Sequence, residues 1–272
     1  MTAETTDAGT PPPSTRPLLA TITVPETPHS IAMSQDGTRA YVSHFRSGSV
    51  SLIDTATETV TAVLHSEPGA YGVAPSADDS VVHVAHPDSE FIQTIEVASD
   101  QATGTGIGSK VYGLAAVYDR LYATAALEDA LIVLDAHVKN IGRAEAVDFP
   151  VAVTASPDGV LLYVSNYFSA TVSAIAADKI TPGLAGEGAI VVQRVPVAEG
   201  PYGLAVSPDG SRLYVAHFPN GNAISVVDTA SYTVTDRIDV GGSSVRGLAV
   251  SRDGTKLYVA NYFSSSVSVL AL

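Results

Sequence analysis

The sequence repeats one pattern about every 40 residues, and this repeat constrains the fold more than any other feature. Clear copies are Ser-Pro-Asp-Gly-Ser-Arg-Leu-Tyr-Val-Ala-His at 207–217 and Ser-Arg-Asp-Gly-Thr-Lys-Leu-Tyr-Val-Ala-Asn at 251–261. Aligned units are separated by 42, 41, 39, 51 and 44 residues and begin at His29, Tyr71, Tyr112, Val151, Tyr202 and Arg246. Short Val-, Ile-, Leu- and Tyr-rich strands alternate with Gly, Pro, Asp and Ser turns. Four strands in each such unit predict the blades of a β-propeller.

The two ends of the chain are predicted to meet in one blade. The last unit stops at Leu272 after three strands, and a spare strand at about 18–25 precedes the first unit. We therefore expect an all-β, six-bladed β-propeller of four-stranded antiparallel blades over residues 18–272, with the N-terminal strand completing the last blade. Such closure protects edges that an open ring would expose. Residues 1–17, which are polar and Pro-rich, are expected to form a disordered tail, and the longest spacing reflects an insertion at 179–188.

Composition excludes several classes of partner and site. The net charge is −14 with only 14 Lys and Arg, which disfavours nucleic acid and anionic membrane surfaces as partners. The absence of cysteine excludes disulfides and thiolate metal sites. No apolar run of membrane-spanning length and no apolar leader segment occurs, so we expect a cytoplasmic protein. Gly-rich phosphate loops, a Ser nucleophile elbow and a Rossmann fingerprint are not found.

The repeats resemble a known family. The motifs at 156–166, 207–217 and 251–261, with Leu-Ile-Asp-Thr-Ala-Thr at 52–57 and Val-Val-Asp-Thr-Ala-Ser at 226–231, are similar to YVTN β-propeller repeats. The resemblance covers the chain after residue 17 and implies the propeller fold. Members of that family include surface-layer proteins, scaffolds and enzymes, so the resemblance implies no particular function.

Comparison of the six units separates structural residues from candidate functional ones. The Asp-Gly turns and the Tyr-Val pairs recur, which indicates roles in the turns and in packing between blades. Because successive strands are antiparallel, the loops between blades and those between second and third strands share one face, where the copies differ. The first strands there begin with the inner ring: His29, Tyr71, Tyr112, Val151, Tyr202 and Arg246. The second strands end with the outer ring: His44, His86, Ala125, Asn166, His217 and Asn261.

This face, near the central channel, is the predicted site. The predicted catalytic residues are His29, His86, His217 and Arg246, with His29 and either His217 or His86 as acid and base and Arg246 on an anionic group. The predicted substrate-binding residues are His44, Tyr71, Tyr112, Tyr202, Asn166, Asn261, Phe218 and Tyr262. The alternative for the outer ring is structural, since His and Asn can hydrogen-bond a neighbouring loop. No cofactor is predicted; histidines around a channel leave a divalent metal open, although the inner ring has no carboxylate.

Two functions remain as hypotheses. The first is a small-molecule-binding propeller that acts as a cofactor-independent, non-redox acid–base enzyme: a lyase, isomerase or hydrolase. The second is a non-catalytic binding or protein-interaction scaffold with a protein partner. An enclosed polar and aromatic pocket favours the first, and a flat rim of exposed aromatic side chains favours the second.

Overall fold

A computed structural model describes residues 11–145, 147–180, 191–219, 221, 223–241 and 244–272. Two strands precede the first blade: β1 (Pro13–Ser14) and β2 (Leu18–Thr23). Blade 1 contains β3 (Pro28–Met33), β4 (Arg39–His44), β5 (Ser49–Asp54) and β6 (Thr59–His65). Blade 2 contains β7 (Val73–Pro75), β8 (Val81–His86), β9 (Phe91–Glu96) and β10 (Ala102–Gly106). Blade 3 contains β11 (Leu114–Val117), β12 (Arg120–Ala125), β13 (Ala130–Leu134) and β14 (Asn140–Glu145).

The second half of the chain continues the pattern. Blade 4 contains β15 (Pro150–Ala155), β16 (Leu161–Asn166), β17 (Thr171–Ala176) and β18 (Val191–Pro196). Blade 5 contains β19 (Pro201–Val206), β20 (Arg212–His217), β21 (Ala223–Asp228) and β22 (Thr233–Asp239). Blade 6 contains β23 (Val245–Val250), β24 (Lys256–Asn261), β25 (Ser266–Ala271) and β2. Two short 3-10 turns lie at Ala126–Glu128 and Ala177–Lys179. Most of the predicted insertion at 179–188 lies outside the described residues.

These six antiparallel sheets confirm the predicted six-bladed propeller and its closure. Strand β2 pairs with β25 along its length, from Leu18 opposite Leu270 to Thr23 opposite Ser266. The first paired strand lies earlier in the chain than predicted. Strand β1 runs parallel to β22 and forms a fifth strand of blade 5. Arg16 also ion-pairs, at 2.7 Å, with Asp236 of strand β22. Residues 13–16 therefore contact blade 5, and residues 1–10 of the expected tail lie outside the described part.

The Asp-containing turns serve the blades, as their recurrence predicted. In blade 5, Asp209 accepts hydrogen bonds from the Ser207 hydroxyl at 2.5 Å and from the Ser211 backbone N–H at 3.0 Å. The Ser207 hydroxyl bond, together with the Ser211 bonds, lowers the pKa of Asp209 to about 2. Gly210 follows with a φ of 73°, which glycine adopts without strain. Blade 3 replaces this turn with a shorter one between β11 and β12.

The core consists of six apolar layers, one at each interface between neighbouring blades. The tyrosine of each Tyr-Val pair belongs to such a layer. Tyr258 of blade 6 packs with Ile31 and Val42 of blade 1, and Tyr41 of blade 1 packs with Val82 of blade 2. Burial of these side chains joins the blades into one ring. Within the described ranges, no helix is long and apolar enough to span a membrane.

Candidate functional site

The inner-ring residues converge around the channel axis on the face of the inter-blade loops. A glycine follows four of them, and these glycines allow neighbouring first strands to approach closely. A Cβ on Gly203 would lie well inside 3.0 Å of the Arg246 carbonyl oxygen, and one on Gly72 would meet the Tyr112 carbonyl oxygen. Hydroxyl groups hold other neighbouring strands together: the Ser165 hydroxyl of β16 donates to the Tyr202 carbonyl oxygen of β19 at 2.8 Å. These backbone contacts set the positions of the inner-ring side chains.

Arg246, His29 and Tyr202 form the polar centre of this face. Arg246 Nη1 donates to His29 Nε2 at 2.7 Å and to the Tyr202 hydroxyl at 3.1 Å. The Tyr202 hydroxyl also lies 3.1 Å from His29 Nε2. Because a guanidinium only donates hydrogen bonds, His29 Nε2 accepts, which assigns the imidazole proton to Nδ1. The three side chains, which come from blades 1, 5 and 6, form one hydrogen-bonded triangle.

The Arg246 guanidinium is buried without a carboxylate. It lies 4.0 Å from the centre of the Phe218 ring and 3.9 Å from that of Tyr262, and only 9% of the residue is exposed. Its Nε has no hydrogen-bond partner in the part of the chain that the structure describes. A buried cation normally requires a paired anion. Here aromatic faces and neutral acceptors stabilise it instead.

Burial and the Arg246 charge determine the protonation of this centre. Burial, and then the Arg246 charge, lowers the pKa of His29 well below 6.5, so the imidazole is neutral at pH 7. Burial raises the pKa of Tyr202 well above 10, so its hydroxyl keeps its proton. Burial also raises the pKa of Tyr112. At neutral pH the centre therefore offers one positive charge, two neutral polar groups and no strong base.

Nine rings form a closed loop of contacts around this centre, and the centre of each ring lies 5.3–6.4 Å from the centre of the next. In order they are His29, Phe45, Tyr71, Tyr112, Phe149, Tyr167, Tyr202, Phe218 and Tyr262. The predicted ligand-binding residues Tyr71, Tyr112, Tyr202, Phe218 and Tyr262 are thus brought together. Phe149 is not among the predicted site residues; its backbone N–H donates to Asp129 Oδ1 at 2.8 Å. Its position two residues before Val151, the one aliphatic inner-ring residue, was an available signal.

The outer-ring side chains are engaged within their own blades. His44 Nε2 and His217 Nε2 lie 2.8 Å from the hydroxyls of Ser51 and Ser225 on the third strands. Asn166 and Asn261 donate to the corresponding serines, at 2.9 Å to Ser173 and 2.8 Å to Ser268. All four side chains are buried.

His86 also contacts a serine, but this serine lies in the loop between blades 1 and 2. Its Nε2 lies 3.2 Å from the Ser66 hydroxyl, and its ring stacks on Phe91 at 4.8 Å. Neither His86 nor His217 contacts His29 among the described side chains. The structure therefore does not bring together the predicted acid–base pairs, and the predicted catalytic roles of His86 and His217 stay predictions.

The outer-ring histidines make stability depend on pH. Burial lowers the pKa of His44 and of His217 to about 4. The unfolded chain, with an ordinary histidine pKa near 6.5, therefore binds these protons first as the pH falls, and stability is lost between pH 6.5 and 4. Each histidine contributes a loss of about 2 kcal/mol at pH 5. We expect His44→Asn, which matches the residue used in blades 4 and 6, to fold and to remove about 2 kcal/mol of the total loss at pH 5.

Urea unfolding at pH 7 and pH 5 measures this effect. The exposed His137→Asn is the matched control and should leave the difference between the two pH values unchanged. An equal loss of stability in His44→Asn and wild type would contradict the assignment of this pH dependence to His44.

Two cavities border the ring of blades. The first, about 590 Å³, is the central channel, which is lined by the first strands of all six blades and extends to the turns on the opposite face. The second, about 1000 Å³, lies beside the aromatic loop between blades 4 and 5 and includes Phe218, Tyr167 and His217. We name it the lateral pocket. No group of three or more His, Asp or Glu side chains in the described ranges could hold a metal ion.

Comparisons with known proteins identify the fold and one partial family match. A family model described as "Lactonase, 7-bladed beta-propeller" matches residues 186–272, which is less than half of the chain. That description specifies seven blades, whereas the described residues here form six sheets. No curated protein sequence matches the chain.

Solved structures support the same fold. The chain is similar to the β-propeller domain of Myceliophteria thermophila Cps50 (Swd1), with a TM-score of 0.73, 10% identity, and coverage of 94% of this chain and 99% of that one. It is also similar to Kuenenia stuttgartiensis hydrazine synthase, with a TM-score of 0.67, 19% identity, and coverage of 97% and 98%. At such identities the likeness shows the fold alone. The fold, the six repeats and the partial family match together establish that the chain is a β-propeller repeat protein.

Proposed function

We propose that this propeller binds a small molecule at the mouth of its channel on the face of the inter-blade loops. The ligand carries an anionic or oxyanion-forming group and a flat apolar part. The observation that supports this most is the Arg246 guanidinium, which is buried between two aromatic rings without a carboxylate. An incoming anion would supply the missing counter-charge, and the surrounding rings would contact its apolar part.

We further propose that the bound molecule reacts by non-redox chemistry at a carbonyl group. Arg246 and the protonated Tyr202 hydroxyl are two donors that can stabilise an oxyanion as it forms. His29 holds the Arg246 Nη1 in place, and its low pKa makes it a weak base, so its role is to position the guanidinium. The partial match to a family described as lactonase covers Tyr202 and Arg246 and favours hydrolysis among the three predicted reaction classes. Water adds to the carbonyl carbon of a lactone to give a tetrahedral oxyanion, and cleavage of the ring C–O bond then yields an alcohol, a carboxylate and a proton. Arg246 can pair with both the oxyanion and the carboxylate.

Arg246→Met tests the proposal. Methionine fills the space between the two rings and removes a buried charge that lacks an ionic partner, so the melting temperature should stay the same or rise. Affinity for an aromatic carboxylate such as benzoate should fall by about 10- to 100-fold, since a charged hydrogen bond is lost. Calorimetric titration and thermal unfolding measure the two quantities.

Arg212→Gln is the matched control, because Arg212 is an exposed arginine of blade 5 on the opposite face and does not line the channel. It should bind benzoate as wild type does. A screen of aryl lactones and esters for hydrolysis, repeated with Arg246→Met, tests the catalytic part. Equal benzoate affinity in wild type and Arg246→Met would contradict ligand binding by Arg246.

Exposed aromatic side chains at the rim of this face support the scaffold hypothesis. Phe168 and Phe263 are 70% and 74% exposed and stand beside Tyr167 and Tyr262 at the edge of the same face. Exposed aromatic side chains of this kind are typical of protein interfaces. This second function would be favoured if no carboxylate or lactone in the screen changed the melting temperature of the wild-type protein.

A further inference from the structure

We infer that the lateral pocket is a second small-molecule site, which takes a compound with one anionic group and a flat aromatic part. This inference stands apart from the function proposed for the channel mouth. The pocket, of about 1000 Å³, lies between blades 4 and 5. Volumes of this size accommodate small organic ligands.

The apolar side of the pocket consists of aromatic rings from two blades. Tyr167 and Phe168 come from the loop after β16, and Phe218 comes from the loop after β20. The Tyr167 and Phe168 rings meet edge to face at 5.3 Å. Phe168 is 70% exposed, so its ring surface is available to a ligand. A flat aromatic group gains contact with these rings at little cost in ligand ordering.

The polar side of the pocket contains Arg237, which lacks an ionic partner. No described residue forms an ion pair with its guanidinium, and its Nε is buried without a hydrogen-bond partner. Arg143 occupies the corresponding outer-strand position in blade 3, where it ion-pairs with Glu128. Arg237 differs because no described carboxylate lies within ion-pairing distance of its guanidinium, and a ligand anion would supply one.

The backbone around Arg237 is well fixed. Its N–H donates to Asp236 Oδ1 at 2.7 Å, and its carbonyl oxygen accepts from the Ser14 hydroxyl at 3.0 Å. The guanidinium is therefore presented from a paired strand that the N-terminal segment also contacts. A backbone that is fixed before the ligand arrives favours binding, because less conformational entropy is lost.

The remaining charges limit the ligand to one anionic group. Glu199 and Asp239 also line the pocket, and Asp239 Oδ1 accepts from the Gly241 N–H at 2.9 Å. Their negative charges disfavour a second anion. His217 adds no charge at neutral pH, because burial lowers its pKa to about 4. The pocket therefore matches an aromatic monoanion bound at Arg237.

A site-specific fluorescence experiment tests this inference. The chain has no tryptophan, so Phe168→Trp creates a single reporter on the pocket wall. The probe is 4-nitrobenzoate, a nitroaromatic quencher, and 4-nitrobenzamide is its neutral counterpart. We expect saturable quenching by the acid and an at least tenfold weaker response to the amide. Phe263→Trp, an equally exposed position on the other side of the mouth, serves as the reporter for binding at Arg246.

Substitutions added to the Phe168→Trp protein distinguish the two sites. Arg237→Gln should raise the dissociation constant at least tenfold, Arg237→Lys should raise it less, and Arg212→Gln, an exposed arginine of the same blade, should leave it unchanged. Arg246→Met should also leave the dissociation constant at the lateral pocket unchanged. If Arg246→Met abolished the quenching, the mouth would be the only site. That result would overturn the inference and support the proposed function. Equal affinities with and without Arg237, or for acid and amide, would overturn it as well. Thermal unfolding of each variant confirms that it is folded.

Discussion

A chain that begins at Pro25 is expected to lose its cooperative fold. Strand β2 is the outermost strand of blade 6, and Ile22 is buried in the apolar layer between blades 6 and 1. Val24 adds a second buried side chain, and its N–H donates to the Ser265 carbonyl oxygen at 3.0 Å. Each lost side chain costs about 2–4 kcal/mol, and the unpaired edge of β25 adds to this loss. The sum approaches the whole stability of an ordinary domain, about 5–15 kcal/mol.

Thermal unfolding followed by circular dichroism, with size-exclusion chromatography, measures this effect. A chain that begins at Pro17 is the matched control, because it loses β1 and the Arg16–Asp236 ion pair but keeps β2. That pair is partly exposed, so its removal should cost about 1 kcal/mol or less. If the two shortened chains melted within a few degrees of each other, closure by β2 would not be needed for stability.

Gly203→Ala is expected to destabilise the propeller by about 3 kcal/mol, through a clash of its Cβ with the Arg246 carbonyl oxygen. The oxygen belongs to the backbone of the next blade, so it cannot move aside as the end of a side chain could. Relief requires blades 5 and 6 to separate at the channel, which also displaces Arg246. We therefore expect weaker benzoate binding together with a melting temperature lowered by about 6–12 °C.

Gly106→Ala is the matched control, since a Cβ at Gly106 would have nothing within 4 Å. Gly247→Ala is expected to have a smaller effect than Gly203→Ala, because its Cβ would lie 2.8 Å from the nearest atoms of Ser30 and Ile31. If Gly203→Ala were as stable as Gly106→Ala, the close approach of strands β19 and β23 would be contradicted.

The fold could be predicted from the sequence because each structural device occurs several times. Four Asp-Gly turns and four Tyr-Val pairs gave repeated evidence for the same blade, and the three-stranded last unit indicated the closing strand. The site could be predicted only as far as topology allowed. Antiparallel strands place the inner-ring residues on one face, so the grouping of His29, Tyr202 and Arg246 follows from strand order.

What could not be predicted depends on side-chain directions and on loops that do not repeat. The guanidinium of Arg246 lies between rings from two different loops, and no spacing in the sequence encodes that contact. Phe149 supplies the ring that Val151 cannot, from a loop position where other blades have Thr27, Gly200 and Ser244. The serine partners of His44 and Asn166 were within reach of the sequence, since each lies seven residues further along on the third strand.

The pairing of Leu18 with Leu270 brings the two ends of the propeller sequence side by side. The ring itself therefore has no first blade. A gene rearranged so that translation started in another inter-blade loop, with the present ends joined by a short linker, would specify the same set of strand pairs. The order in which the ribosome makes the blades is separable from the way in which the finished ring is held together.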